Sequence, residues 1–358
     1  MPQTSLRWPA PTWLDLFYDL AMAASAVAIS GSFAYDYTWS GAAWFALTYA
    51  ILGCFWLLTG FWSGSFNGDR PPLRGTPVAV IAVQMVGLLV LAVASGDSIA
   101  DSEAVYDILL GLLLVSIVVL GWLSGRMGRR TPLVLGVGVA CLIGSWIAPS
   151  GPSMALWLLV LVLLALETAM AVVSGPVDGP VDGPRLRHRL GELTVVIIGE
   201  VLVKFALTAG DESLWAIKLA ALVPIVVILV AAWWAYFLAH RVSGAFSGRQ
   251  RRTWVALHLP LHVGLLGLAV GLAKLLVGAK TLDDKVLNLL GGPVLLVLIS
   301  LMLLHWAAGQ ASVKVLALAV VVEVVVLALA PVVSAGPTVT SYATAVVMLS
   351  AAIAAARK

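Results

Sequence analysis

VGLLVLAV, Val86 to Val93, has no polar side chain to offer water, and it returns as VGLLGLAV at Val263 to Val270. The two octets agree at seven positions and lie 177 residues apart, about half the chain. The same ungapped shift lays Asp15-Leu16 on Glu192-Leu193, Trp56 on Trp233, Arg74 on Arg251, Thr76 on Thr253 and Asp107 on Asp284. Agreement at five further separated places points to a duplicated chain. A site at the junction of the halves is then expected twice, with Asp15 and Glu192 as its first pair.

The octets sit inside longer apolar runs, and such runs fill the chain. Hydrophobic residues make up 61% and charged residues 11%, with a mean hydropathy of +1.03, far from a soluble globular average. A helix needs about 20 apolar residues to cross the hydrocarbon core, and twelve runs meet that length. Six occupy Trp13 to Ser32, Gly41 to Phe66, Gly75 to Ser95, Ala104 to Gly125, Pro132 to Ala148 and Met154 to Ser174. Six more occupy Arg189 to Ala209, Trp215 to His240, Trp254 to Val277, Val286 to Ala307, Ser312 to Val332 and Thr338 to Ala356. The expected fold is an all-α membrane protein of about twelve transmembrane helices. The halves are a first six-helix repeat over 1–174 and a second over 189–358, joined by a Gly/Pro linker over 175–188 that contains GPVDGPVDGP.

Short loops rich in Lys and Arg stay cytoplasmic. With the N-terminus inside, that side holds Arg7, Arg70, Arg74, Arg126, Arg129, Arg130, Arg185, Arg187, Arg189, Arg241, Arg249, Arg251, Arg252, Lys314, Arg357 and Lys358. The other side holds Asp36, Asp97, Asp101, Glu103, Asp211, Glu212, Asp283 and Asp284, with Lys280 and Lys285. Both termini are therefore expected to be cytoplasmic, and six helices per half make the repeats parallel. The net charge of +3 is this asymmetry, facing membrane lipids rather than nucleic acid. Cys54 and Cys141 fall inside apolar runs and imply no disulfide framework. The first run carries two carboxylates and lacks the layout of a cleavable signal peptide, so Met1 is expected to persist.

An ionised side chain at the centre of a membrane helix costs roughly 2.5 to 3.5 kcal/mol on the insertion scale, so each one invites a reason. Asp15 and Asp19 stand one turn apart on the first helix, and Glu192, Glu200 and Lys204 stand along the seventh. Glu167 lies in the sixth, His258, His262 and Lys274 in the ninth, His305 in the tenth and Glu323 in the eleventh. Two carboxylates a turn apart cannot both ionise cheaply without a cation, so the aspartates are candidates for a proton or cation site. Glu200 and Lys204 share a helix face and could instead neutralise each other. His258 and His262 have a spacing that suits a metal, but two ligands do not make a site. Lys274 has the reach to snorkel, and Arg187 and Arg189 are read as anchors of the seventh helix to the interface.

LDLFYDLAMAASAVAIS at Leu14 to Ser30, HRLGELTVVIIGEVLV at His188 to Val203, WWAYF at Trp233 to Phe237 and HLPLHVGLLGLAVGL at His258 to Leu272 together resemble the bacterial low temperature requirement A (LtrA) proteins. Asp15, Phe17, Tyr18, Asp19 and Leu20 fit the acid, aromatic and Asp-Leu pattern of that family's first segment. Gly199-Glu200 fits the Gly-Glu dipeptide of its seventh-helix signature, and His258-Leu259-Pro260 with Gly264 fits the segment at the ninth helix. The family's acid-Arg-Phe-Gly run is here His188-Arg189-Leu190-Gly191, which leaves Glu192 as the substitute acid. The resemblance implies a multi-pass protein of the cell's inner (cytoplasmic) membrane, and it implies no agreed biochemical activity. A more distant likeness is to potassium channels built of six-helix repeats, but Arg7 stands too far from Phe17 and Asp19 to complete their first-helix motif.

Three classes of function fit these residues. The first is a secondary transporter or ion- or proton-conducting protein. Its pathway would draw on Asp15, Asp19, Glu167, Glu192, Glu200, Lys204, His258, His262 and Glu323, with Gly136, Gly138, Gly291, Gly292 and Pro293 giving close helix contacts or breaks. The second is a membrane-embedded enzyme acting on an isoprenoid or lipid, with Asp15 or Asp19 as general acid and Trp56, Trp233 and Trp234 as aromatic walls. The third is a non-catalytic membrane protein for cold adaptation. Phosphate-binding loop, nucleophile elbow, HExxH and CxxC patterns are absent from the sequence, so neither a cofactor nor a metal is expected. The transported substrate and the oligomeric state are not encoded in these motifs.

Overall fold

The computed structural model describes residues 13–35, 37–64, 75–95, 103–124, 128–147, 150–174, 183–210, 215–240, 248–278, 284–332 and 337–357. Among them the chain is helical and without strands. The helices are α1 (Trp13–Tyr35), α2 (Trp39–Gly64), α3 (Thr76–Ala94), α4 (Glu103–Leu123), α5 (Arg130–Ile147), α6 (Ser150–Ser174), α7 (Gly183–Gly210), α8 (Trp215–His240), α9 (Gly248–Ala256), α10 (His258–Gly278), α11 (Asp284–Ala307), α12 (Val313–Val332) and α13 (Pro337–Ala356). Leu257 N–H bonds Thr253 O at 3.0 Å and Leu257 O accepts from Leu261 N–H at 3.3 Å. α9 and α10 therefore continue as one rod, and the described residues form twelve rods. Ten are long and apolar enough to cross a bilayer. The other two are α7, which carries the polar residues discussed below, and α8, whose apolar described part is Leu222–Leu238. The chain is a multi-pass membrane protein.

Sequence punctuation sets the rod ends. Gly75, at φ +64°, precedes α3 with a proline in the first helical positions. α11 closes on Gly309 at φ +69°, where Gln310 N–H reaches His305 O and Gly309 N–H reaches Trp306 O, both at 2.9 Å. That pair of bonds satisfies carbonyls the helix end would leave open, and it demands a left-handed residue at the corner. α7 starts at Gly183, so the last part of the expected linker is helical, while 175–182 lie outside the described residues. Half of the loop charges that set the expected orientation also lie outside them, among them Asp36, Arg70, Arg74, Asp97, Asp101, Arg126, Asp211, Glu212, Arg241, Lys280 and Asp283.

In the first half α1 packs on α2 and α3, α2 on α4 and α6, α3 on α4, α4 on α5 and α5 on α6. In the second half α7 packs on α8 and α10, α8 on α11 and α13, α10 on α11, α11 on α12 and α12 on α13, and α8 also meets α10. The halves meet through α1 with α7 and α10, α2 with α10, and α6 with α9. Lipid tails are as apolar as leucine, so helix association relies on close fit and on interhelical hydrogen bonds. Ser25 Oγ and Ser32 Oγ donate to Leu88 O at 2.8 Å and Ser95 O at 2.7 Å, joining α1 to α3. α10 meets α11 where a Cβ on Gly264 would stand 3.1 Å from Val297 N and 3.2 Å from Pro293 O. Valines and leucines such as Val86, Leu112, Val321 and Leu318 face outward, as a hydrocarbon solvent permits.

Candidate functional site

The core of the interface between the halves is polar. Asp15 and Asp19 are one turn apart on α1 and share a face, as Trp56 and Gly60 do on α2. Arg189 enters from the first turns of α7, and its buried guanidinium lies between these surfaces. Its Nη2 donates to Asp19 Oδ1 at 2.5 Å, and its Nη1 stands 3.9 Å from Asp15 Oδ1. Trp56 Nε1 donates to the same Asp19 Oδ1 at 2.7 Å, and the guanidinium carbon lies 4.8 Å from the Trp56 ring centroid. The arginine thus has an ionic partner and an aromatic face. Gly60 makes room, because a Cβ there would stand 2.6 Å from Arg189 Nη1. One turn along α7, Glu192 Oε1 pairs with His188 Nε2 at 3.2 Å.

Beside this cluster runs a chain of neutral donors and acceptors. Thr194 Oγ donates to Leu190 O at 2.7 Å, so at its 2.8 Å contact with His262 it receives the Nε2–H. His262 Nδ1 is then an acceptor, and the Tyr49 hydroxyl donates to it at 2.8 Å. One turn earlier, His258 Nδ1 is 2.8 Å from Trp254 O and must donate to that carbonyl. Its Nε2 accepts from the Tyr236 hydroxyl at 2.9 Å. The two imidazoles lie 5.9 Å apart and are both buried. Four rods, α1, α2, α7 and α10, therefore enclose one arginine, two aspartates, two histidines and the Tyr49 hydroxyl, and α8 adds that of Tyr236.

The other expected site residues are dispersed. Lys204, further along α7, donates to Ser30 Oγ on α1 at 3.0 Å, and Glu200 is half-buried on the same helix. Glu167 lies between α5 and α6, receives Thr131 Oγ at 3.0 Å and pairs with Arg130 at 3.4 Å. Glu323 lies between α12 and α13 and receives Thr344 Oγ at 2.6 Å. His305 bonds Ser312 Oγ at 2.6 Å and Ala235 O at 2.8 Å, which ties the end of α11 to α8.

Several expectations change. Arg189 is no interfacial anchor: it supplies the cation that the α1 aspartates lack, and the helical stripe it shares with Leu193 and Ile197, both buried, is the signal for its burial. Trp56 is 2% exposed but Trp233 is 45% exposed, and Trp234 also faces outward, so only Trp56 walls a polar site. The site is not built twice. Under the 177-residue shift, Asp19, Arg189, His258 and His262 meet Val196, Thr12, Ile81 and Met85. Tyr49, Thr194 and Tyr236 escape a reading that weighs charge alone. Asp107, which the sequence reading weighs only as a shift-matched position, is buried on α4, and its Oδ1 accepts Trp157 Nε1 at 2.8 Å.

The family model described as bacterial low temperature requirement A protein (LtrA) matches residues 10–353. That span contains every residue of the cluster. No curated protein and no solved structure matches the chain. With the match covering nearly the whole length, the chain belongs to the bacterial low temperature requirement A family.

Proposed function

We propose that this chain is a secondary transporter or a proton- or ion-conducting protein. Its working groups are the buried ones between α1, α2, α7 and α10, and it sits in the inner membrane with both termini cytoplasmic. The observation that carries the reading is Arg189: a guanidinium from one half is held by two carboxylates of the other, inside the seam between the halves. Stability alone gives little reason to keep a buried ion pair there, since well-packed apolar residues are often as good or better. An ion pair across a seam has to be remade whenever the halves shift, so it couples their movement to the charge of whatever Asp15 and Asp19 bind.

The neighbouring groups suit proton movement. The Tyr49 hydroxyl donates to His262, and His262 donates in turn to the Thr194 hydroxyl, so the three groups form a directed hydrogen-bond chain. A proton delivered to Tyr49 could leave by Thr194 once each hydroxyl rotates. The halves have the same helix-neighbour pattern in order, which supports a parallel duplication with the site at its seam.

Purified protein in liposomes under imposed proton or potassium gradients tests the reading. Native chain is expected to carry flux of one of these ions. Asp19→Asn and His262→Ala should each lower it at least about tenfold, the scale of losing one essential group. Folded native protein with no flux under either gradient would overturn it for these ions and redirect the search to lipid or isoprenoid chemistry at Asp15 and Asp19.

A further inference from the structure

Glu323 stands apart from the seam between the halves, near the middle of α12, which packs chiefly against α11 and α13. The side chain is 0% exposed, yet Val321, Val322, Val324 and Val325 around it all face outward. Its carboxylate therefore lies within the apolar band of the molecule. Thr344 Oγ on α13 donates to Oε1 at 2.6 Å, and Oε2 is buried with no hydrogen-bond partner among the described residues.

The other buried acids have a cation or an N–H donor. Asp19 has a guanidinium and an indole N–H, Glu167 has Arg130, and Asp107 has the Trp157 N–H. Among the described residues, Glu323 is met by a hydroxyl alone. Thr340 and Ser341, four and three residues before Thr344 and so on its face of α13, are buried as well. The seam between α12 and α13 thus holds one carboxylate with the Thr344 hydroxyl on it, and two further hydroxyl residues share that face of α13. Ionisable groups on the surrounding helices stand at or just past their ends: His305, Asp284 and Lys285 on α11, Arg357 directly after α13, and exposed Lys314 on α12 about 13 Å away by helix rise. Tyr342 on α13 points elsewhere and is 39% exposed.

A carboxylate buried without a counter-charge must take one from outside. An oxygen-only donor set suits a hard cation or a proton, and full burial of the carboxylate favours a ligand that needs few donors. We propose that Glu323 and Thr344 form a second ligand site, for an exchangeable proton or sodium ion, independent of the cluster around Arg189. This inference does not rest on the transport reading.

Dicyclohexylcarbodiimide reads the site directly in the native, full-length protein in detergent. The reagent enters from the apolar phase and reacts with a protonated carboxyl: the acid proton moves to a carbodiimide nitrogen, the carboxyl oxygen bonds the central carbon, and the O-acylisourea rearranges to an N-acylurea. Peptide mass spectrometry should place the adduct on Glu323 and find none there in Glu323→Gln. Labelling should fall at least about fivefold between about pH 6 and about pH 9. Slower labelling in sodium chloride than in choline chloride at one pH identifies sodium as the ligand, and equal rates identify the proton. Labelling that spares Glu323 under all these conditions, or that reaches it equally at both pH values and in both salts, overturns the proposal.

Discussion

Arg189 has the highest stakes of any side chain in the seam, because every group that answers its charge comes from other helices. Arg189→Met should lower stability by about 3–5 kcal/mol, the usual cost of stripping one partner from a buried pair, since Asp15 and Asp19 are left facing each other. Adding Asp19→Asn to that variant should restore part of the loss, and a double-mutant cycle of thermal unfolding in detergent should give a coupling above about 1 kcal/mol. Additive losses would mean that the 2.5 Å contact carries no energy of its own. Trp56→Phe keeps the ring under the guanidinium but removes the N–H given to Asp19. It should cost about 1.5–3 kcal/mol, the range for hydrogen bonds to charged groups, by the same unfolding assay. At this scale the acids were legible in the sequence, because a carboxylate in an apolar run is expensive and conspicuous. Their partners were not, since Arg189 sits near a helix start where an arginine has an ordinary reason to be, and Tyr49 and Thr194 are residue types common in any membrane helix.

Helix ends and close approaches can be tested through glycine. Gly309 sits at φ +69°, a conformation that costs an L side chain roughly 1–2 kcal/mol, so Gly309→Ala should destabilise by about that amount. Gly136 is helical with nothing within 4 Å of an added Cβ, so Gly136→Ala should be neutral or stabilising by up to about 1 kcal/mol. Melting temperatures of the two variants in one detergent should therefore move apart, and equal shifts would contradict the turn at the end of α11. The spans themselves follow from the sequence to within a few residues, because length in a bilayer is fixed by the hydrocarbon thickness. The continuous passage from α9 to α10 through Leu257 follows from local hydrogen bonding, which leaves no hydropathy mark, and the start of α7 at Gly183 precedes its apolar run.

For the whole molecule, the helix neighbours of one half repeat in the other, yet the seam between them does not read the same from both sides. α10 packs on α1 and α2 and brings His258 and His262 to the centre, while the shifted positions in α3 are Ile81 and Met85. A sequence shift compares packing residues at fixed spacing, and it cannot reveal which half carries the polar groups. The asymmetric seam also makes a mechanical prediction. Arg189, His262 and Lys204 reach Asp19, Tyr49 and Ser30 across it, and all of these contacts are independent of the 175–182 connection. A protease site placed within 175–182 should therefore be cleavable without parting the halves, and both fragments should elute together from size exclusion in a mild detergent. The same cut in the Arg189→Met background should let them separate more readily, because the seam then holds two uncompensated carboxylates. Native halves that part on cleavage would show that the linker, rather than the buried polar groups and the helix packing around them, holds the two bundles in register.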